Sequence, residues 1–229
     1  AIEDLINSES NIHGIVCVPR HSNPIGHTFS DDNVEQLFKL IEPLKENFSI
    51  FWDNAYACHD IEDTIQQTPA DQIAKKIGLE NNLFQVGSTS KITLAGSGIS
   101  FISSSLDNLS KFIDFRNAIT PGPNKMNQGM HVKYFELVSI EQQMSELKKI
   151  IKPKFELVDH ILEPIKDTGL CFYEKPTGGY FVSFDTAITI KLATSLVNAN
   201  NGTLINLTSA GGGTTHTLCL LYTSDAADE

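Results

Sequence analysis

Apolar and polar positions change period several times along the chain, and each change marks an element. Residues 12–20, IHGIVCVPR, are a short apolar run closed by a proline, which predicts a buried strand. SNPIG follows as a turn. Ser30 stands at an N-cap position before DDNVEQLFKLIEPL, where Val34, Leu37, Phe38, Ile41 and Leu44 recur at helical spacing. Residues 48–55, FSIFWDNA, predict a second strand. A polar stretch over 60–78 holds a short helix near 70–77, and residues 83–86 and 98–104 predict two more strands. Strands alternating with helices predict an α/β architecture with a mostly parallel sheet.

Beyond Leu106 the pattern turns helical. Residues 106–115 predict a helix and TPGP at 120–123 breaks it. A long helical stretch then runs over about 125–165, which Pro153 and Pro164 are expected to interrupt or kink. Residues 170–173, a Gly178-Gly179 turn and residues 180–184 read as a small β unit. A helix over 187–198 and a strand over 203–207 complete the prediction. There is no internal repeat.

Composition narrows the partners. Of 229 residues 41% are hydrophobic, enough to bury a core, and 17 basic against 28 acidic residues give a net charge of −11. That balance argues against a nucleic-acid or anionic-membrane surface, although a local cluster of donors still holds a phosphate on an acidic protein. Cys17, Cys58, Cys171 and Cys219 form no CxxC pair, so neither a zinc site nor a disulfide framework is expected, and the cytoplasm is the default compartment. No apolar run approaches the roughly 20 residues that span a bilayer. The first residues, AIEDLINSES, carry no initiator Met and no signal-peptide pattern, and read as a chain entered part-way.

Three short motifs carry candidate chemistry. Asn23-Pro24-Ile25-Gly26, taken alone, is a β-turn. Asp53 in FWDNAY ends an apolar strand, where a capping or ion-pairing carboxylate is the ordinary reading. Ser88-Thr89-Ser90-Lys91 is a hydroxyl-rich turn that, alone, reads as a surface loop with an ordinary lysine. Their shared placement is more telling than any one of them. All three lie at carboxyl ends of predicted strands, where open α/β sheets bind ligands.

In that order and with that spacing, SNPIG, WDNAY and STSK resemble the motifs of class I, fold type I aminotransferases that depend on pyridoxal 5'-phosphate (PLP). The longer strings FWDNAYACH, STSKITLAGSGISF and GPNKMNQ resemble the narrower MocR-like aspartate aminotransferases, over about residues 11–211. The resemblance implies transfer of an amino group from an amino acid, aspartate in that subfamily, to a 2-oxo acid such as 2-oxoglutarate. It also implies a homodimer. Lys91 would be the catalytic Schiff-base lysine. Asp53 would pair with the pyridine nitrogen, Asn23 and Tyr56 would bind the ring hydroxyl, and Ser88, with Ser90 as a lesser candidate, would bind the phosphate. No metal is implied.

The fold implied is the later part of a PLP-binding large domain over 1–145, an incomplete α+β small domain over 146–211, and a doubtful tail over 212–229. The family's usual phosphate-gripping arginine, about eight residues after the lysine, is replaced here by GSGIS. Backbone N–H groups of residues 96–98 are the expected substitute. Also missing are an N-terminal half, with a phosphate-binding turn and an aromatic to stack on the ring, and a distal arginine for the substrate carboxylate. Only Arg20 and Arg116 occur in the chain, neither in that context. The string LINLTSAG at 204–211 matches the family, but CLLYTSDAADE at 219–229 resembles the translation of a transposon-type sequencing adapter. Without its three acids the net charge is −8 and still acidic. Whether 212–218 is native sequence stays open. The chain by itself is expected to be inactive.

Other readings of the same residues stay open. A PLP-binding regulatory domain would keep the same lysine and aspartate, and a lyase or decarboxylase would share the electron sink. His21, His27 and His59 show no metal spacing and are expected to be structural or solvated. Trp52 is expected in the core, on the sheet face opposite Asp53. GGYF at 178–181 is expected to be structural. PGPNKMNQ reads equally as a helix start or as a segment reaching a neighbouring subunit's site.

Overall fold

The computed structural model describes residues 2–9, 11–62, 66–166, 171–186 and 215–219. They divide into two compact units. One comprises residues 1–19, 29–55 and 65–137, and the other residues 20–28, 56–64 and 138–229.

The first unit is built on a four-stranded sheet of β1 (Gly14–Cys17), β2 (Ser49–Asp53), β3 (Leu83–Ser88) and β4 (Ser100–Ser103), in that order. The first three strands are parallel and β4 runs antiparallel at the edge. Parallel neighbours need crossovers, and helices supply them. These are α2 (Asp31–Ile41), continued by a 3-10 turn over Glu42–Asn47, and α3 (Ala70–Ile77). A short α1 (Ile2–Ser8) precedes the sheet.

The predicted cap of α2 is present. Ser30 Oγ accepts the Asn33 N–H at 3.1 Å, and the Asn33 side chain accepts the Ser30 N–H in return. Val34, Leu37, Phe38 and Ile41 are buried on Ile50, Trp52, Leu83, Ile73 and Ala74, forming one apolar core. Pro43 falls at the start of the 3-10 turn, so the helical face ends at Ile41 and Leu44 is left exposed. The pleat of β2 separates its faces. Ile50 and Trp52 point into the core, whereas Phe51 is exposed and stacks on Phe84 at 5.3 Å. Trp52 meets Phe38 and Phe29 edge-on, at 5.6 and 6.1 Å between ring centres.

Two further helices belong to this unit, α4 (Leu106–Ile119) and α5 (Lys125–Leu137). Asn124 starts α5, its Oδ1 accepting the N–H groups of Met126 and Asn127, so the helix-start reading of PGPNKMNQ holds.

The second unit holds α6 (Ile140–Lys166) and an antiparallel sheet of β5 (Cys171–Tyr173), β6 (Phe181–Thr186) and β7 (Thr215–Cys219), in that order. The helical stretch predicted over 125–165 is two helices, and the break is not at a proline. It falls at Ser139, whose Oγ accepts the Gln142 N–H at 3.1 Å. Helix α6 continues past Pro153 and Pro164 without interruption. An interior proline costs about 3 kcal/mol. Burial of Ile151, Phe155 and Leu162 along the same helix is of a size to offset it. Strand β7 includes Cys219, the first residue of the adapter-like string. The helix and strand expected over 187–198 and 203–207, and residues 220–229, lie outside the described residues.

Candidate active site

Four of the six candidate residues belong to the first unit. Asp53 is the last residue of β2, and Ser88 is the last of β3, its parallel neighbour. Register places Asp53 opposite Val86, and the Asn54 N–H continues the ladder to the Val86 carbonyl at 2.8 Å. Both side chains therefore stand at the carboxyl ends of adjacent parallel strands, where chain leaves the sheet and backbone groups point outward. Asp53 Oδ1 accepts the Ala55 N–H at 2.9 Å, which fixes the carboxylate at the strand end. Asp53 and Ser88 are half-buried, while Ser90 and Lys91 are exposed.

The turn carrying Lys91 is tightly bonded. Ser88 Oγ lies 2.8 Å from Ser90 Oγ and accepts the Ser90 N–H at 3.1 Å. Thr89, the one buried side chain of the four, anchors the turn. Its N–H donates to the Ile99 carbonyl at 2.9 Å, and its Oγ1 accepts the Ile99 N–H at 3.0 Å. Its carbonyl accepts the N–H groups of Ile92 and Thr93, closing one helical turn around Lys91. The glycine-rich segment packs directly on this turn. A Cβ at Gly98 would lie 2.8 Å from the Ser90 backbone N and Cα, so only glycine fits there without moving Ser90.

The other two candidates belong to the second unit. Asn23 is exposed in a turn closed by the Ser22 N–H to the His27 carbonyl at 2.9 Å. Tyr56 is buried at 4% exposure, with His59, Tyr180 and Phe181 edge-on to its ring at 5.8 to 6.0 Å.

The tempting histidines differ in their surroundings. His27 is exposed, and His59 is buried within the aromatic group around Tyr56. His21 is buried at 1% exposure, with Nε2 2.8 Å from Asp60 Oδ1 and Nδ1 3.3 Å from Thr28 Oγ1. Arg20 forks onto the same carboxylate through Nε and Nη2, at 2.7 to 3.0 Å. Burial holds the His21 pKa below its ordinary value, against the opposing pull of Asp60. A Cβ at Gly178 would lie 2.5 Å from the His21 ring, and Gly179 has φ 74° and donates its N–H to the His59 carbonyl. The glycines of the GGYF segment thus pack directly against His21 and His59. Cys17 and Cys58 carry free thiols, and burial pushes the Cys17 thiol up to about 11.

Sequence reasoning missed His131 on α5. It is buried, its Nδ1 donates to the Asn127 carbonyl at 2.8 Å, and its Nε2 lies 2.9 Å from Thr89 Oγ1 and 2.8 Å from Thr93 Oγ1. With Met130, Tyr134, Thr93, Leu94 and Ser97 it lines a cavity of about 280 Å³. No local pattern marks this histidine, because its hydroxyl partners lie 42 and 38 positions earlier.

The family model for aspartate amino-transferase matches residues 1–218. The chain belongs to the aspartate amino-transferase family. A Mycolicibacterium smegmatis protein named as an aminotransferase is 39% identical over 188 residues, covering 80% of this chain and 44% of its own length. The aspartate aminotransferase of Corynebacterium glutamicum is 34% identical over 188 residues, covering 81% of this chain and 43% of its own length. The chain thus spans less than half the length of these curated relatives. A crystal structure of an aspartate transaminase from Corynebacterium glutamicum superposes with a TM-score of 0.80 at 28% identity, over 96% of this chain and 54% of that one. The α/β fold, with its mostly parallel sheet flanked by helices, is that of the aminotransferase structures. Among the described residues, no helix is long and apolar enough to cross a membrane.

Proposed function

We propose that the full-length protein is a PLP-dependent aminotransferase that moves an amino group from an amino acid, with aspartate the expected donor, to a 2-oxo acid such as 2-oxoglutarate. One observation carries this reading. A carboxylate, Asp53, and a hydroxyl-and-lysine turn, Ser88 to Lys91, stand at the carboxyl ends of neighbouring parallel strands. The donor set suits an anionic aromatic aldehyde. Asp53 is a fixed carboxylate for a ring nitrogen, Ser88 and Ser90 offer paired hydroxyls to a phosphate, and Lys91 is an exposed residue of the same turn.

When bound, PLP supplies an electron sink for the charge left at the substrate Cα. The protein's residues do the rest. Asp53 would keep the proton on the ring nitrogen, and the Ser88 and Ser90 hydroxyls would bind the phosphate, with Gly98 packed close enough to hold Ser90 in place. Lys91 would supply the amine that holds the cofactor and, as a free amine, would carry the proton from the substrate Cα. Asn23 and Tyr56 are assigned to the ring hydroxyl. The protein is expected to work as a cytoplasmic homodimer, with the large domain over 1–145 and small-domain residues over 146–211.

The test is direct. The full-length gene product, incubated with PLP, should develop a visible absorbance band that Lys91→Ala abolishes. Half-reactions with a panel of amino acids should then rank aspartate first. A wild-type protein without the band contradicts the cofactor assignment, and an unranked panel contradicts the donor.

A further inference from the structure

We infer that His131 is the positioning residue for Lys91, acting through the hydroxyls of Thr89 and Thr93. The inference rests on the functional reading of Lys91 given above. Lys91 lies midway in a single helical turn, closed from the Thr89 carbonyl to the Thr93 N–H at 2.8 Å. Both ends of that turn carry a threonine, and both hydroxyls meet the same imidazole nitrogen, at 2.9 and 2.8 Å.

The hydrogen-bond pattern fixes the tautomer. The Asn127 carbonyl can only accept, so Nδ1 carries the proton and Nε2 is left as an acceptor. Thr89 Oγ1 already accepts the Ile99 N–H, so its own proton is available for Nε2. Thr93 Oγ1 lies 3.1 Å from the Thr89 carbonyl and 2.8 Å from Nε2, and its single proton is shared between these two acceptors. The network therefore has a direction, running from the α5 backbone through the imidazole to Thr89. Thr89 then ties the turn to Ile99 beyond the glycine-rich segment.

An isolated turn of this length would not hold one conformation, because a single helical bond rarely offsets the backbone entropy it costs. A buried acceptor joined to both ends removes that freedom. A lysine that must reach one reacting carbon gains from a fixed base, and small misplacements are costly. Bulk packing alone does not need an acceptor at this position, since a ring of the same size without nitrogen would fill it.

The experiment uses the full-length gene product and compares wild type with His131→Phe and His131→Gln. Phenylalanine keeps the ring volume and removes the acceptor. The glutamine amide oxygen restores an acceptor near the Nε2 position. Two quantities are read. Without cofactor, deuterium exchange is followed in the peptide spanning residues 88–99. With added PLP, borohydride reduction and peptide mapping give the rate of labelling at Lys91.

His131→Phe should speed exchange in that peptide and leave other segments unchanged. It should also slow Lys91 labelling on the order of tenfold or more, and His131→Gln should restore most of both. A His131→Phe protein matching wild type in both readouts overturns the positioning role, as does a loss that glutamine fails to restore. If phenylalanine prevents folding, the His131→Gln and Thr89→Val variants decide by the same two readouts. Thr89→Val must then lower labelling, and equality with wild type overturns the role. A wild-type protein that takes no label at Lys91 overturns the functional reading itself, and the exchange data still show whether His131 orders the turn.

Discussion

Two polar clusters in this protein are built on opposite plans. The turn at 88–91 in the first unit buries only Thr89 and leaves Ser90 and Lys91 exposed. The cluster of Arg20, His21 and Asp60 in the second unit is nearly sealed, with the Arg20 and Asp60 side chains only 12% and 18% exposed. In the first, the backbone is over-determined and the functional side chains are left accessible. In the second, the charged groups neutralise one another, and their product is architecture. Polar residues at strand ends are ambiguous by type, and their partners separate the two roles. A side chain held by its neighbours' backbone and open to solvent is suited to chemistry. One whose charge is matched inside the unit is suited to holding segments together.

The sharpest way to break this contrast is at Lys91. Lys91→Ala in the full-length protein should lower the aminotransfer rate by more than about 10³-fold. Its thermal midpoint without cofactor should stay near wild type, because the side chain is exposed. A large loss of stability would mean that Lys91 is architectural after all. Asp60→Ala should do the reverse. It removes the carboxylate bound by a largely buried guanidinium and by a buried imidazole, and should cost about 3 kcal/mol in denaturant melts. An Asp60→Ala protein as stable as wild type would remove the cluster's structural role.

Gly98→Ala tests the fixed backbone of the first cluster. The added methyl must displace Ser90, and PLP affinity should fall about tenfold, equivalent to about 1.4 kcal/mol. Unchanged affinity in a titration would show that this close packing does not serve the phosphate.

The smallest effect is a pH dependence seated at His21. Burial, the largest influence, and Arg20 hold its folded-state pKa below the ordinary 6.5, while Asp60 opposes them. The unfolded chain therefore takes up its proton first as pH falls. The stability tied to neutral His21 is complete above pH 6.5 and is lost as pH falls through the folded value. Melts from about pH 7.5 to about pH 5 should show this decline, and His21→Gln should flatten it. An identical slope in the variant would place the titration elsewhere.

Local pattern was a good guide wherever local interactions decide. The α3 helix over 70–77, the Ser30 cap, the apolar face from Val34 to Ile41 and the opposed faces of Trp52 and Asp53 were all legible. Each depends on residues a few positions apart, and helical or two-residue periodicity records them. The placement of Asp53 and the lysine turn at strand ends was legible for the same reason. The break between α5 and α6 was misjudged because proline is a conspicuous signal and Ser139 a quiet one. Whether an interior proline ends a helix depends on how much apolar surface the helix buries on either side.

By itself, then, the sequence determined the alternation of strands and helices, the three motifs and the family they resemble. Tertiary structure alone decided which polar residues are matched inside a unit and which are left open. It joined Thr89 and Thr93 to His131 across about forty positions, and Arg20 and His21 to Asp60 across a similar span. The reason is physical. Periodicity reports which face a residue occupies, whereas desolvation and hydrogen-bond satisfaction depend on groups brought together only when the chain folds.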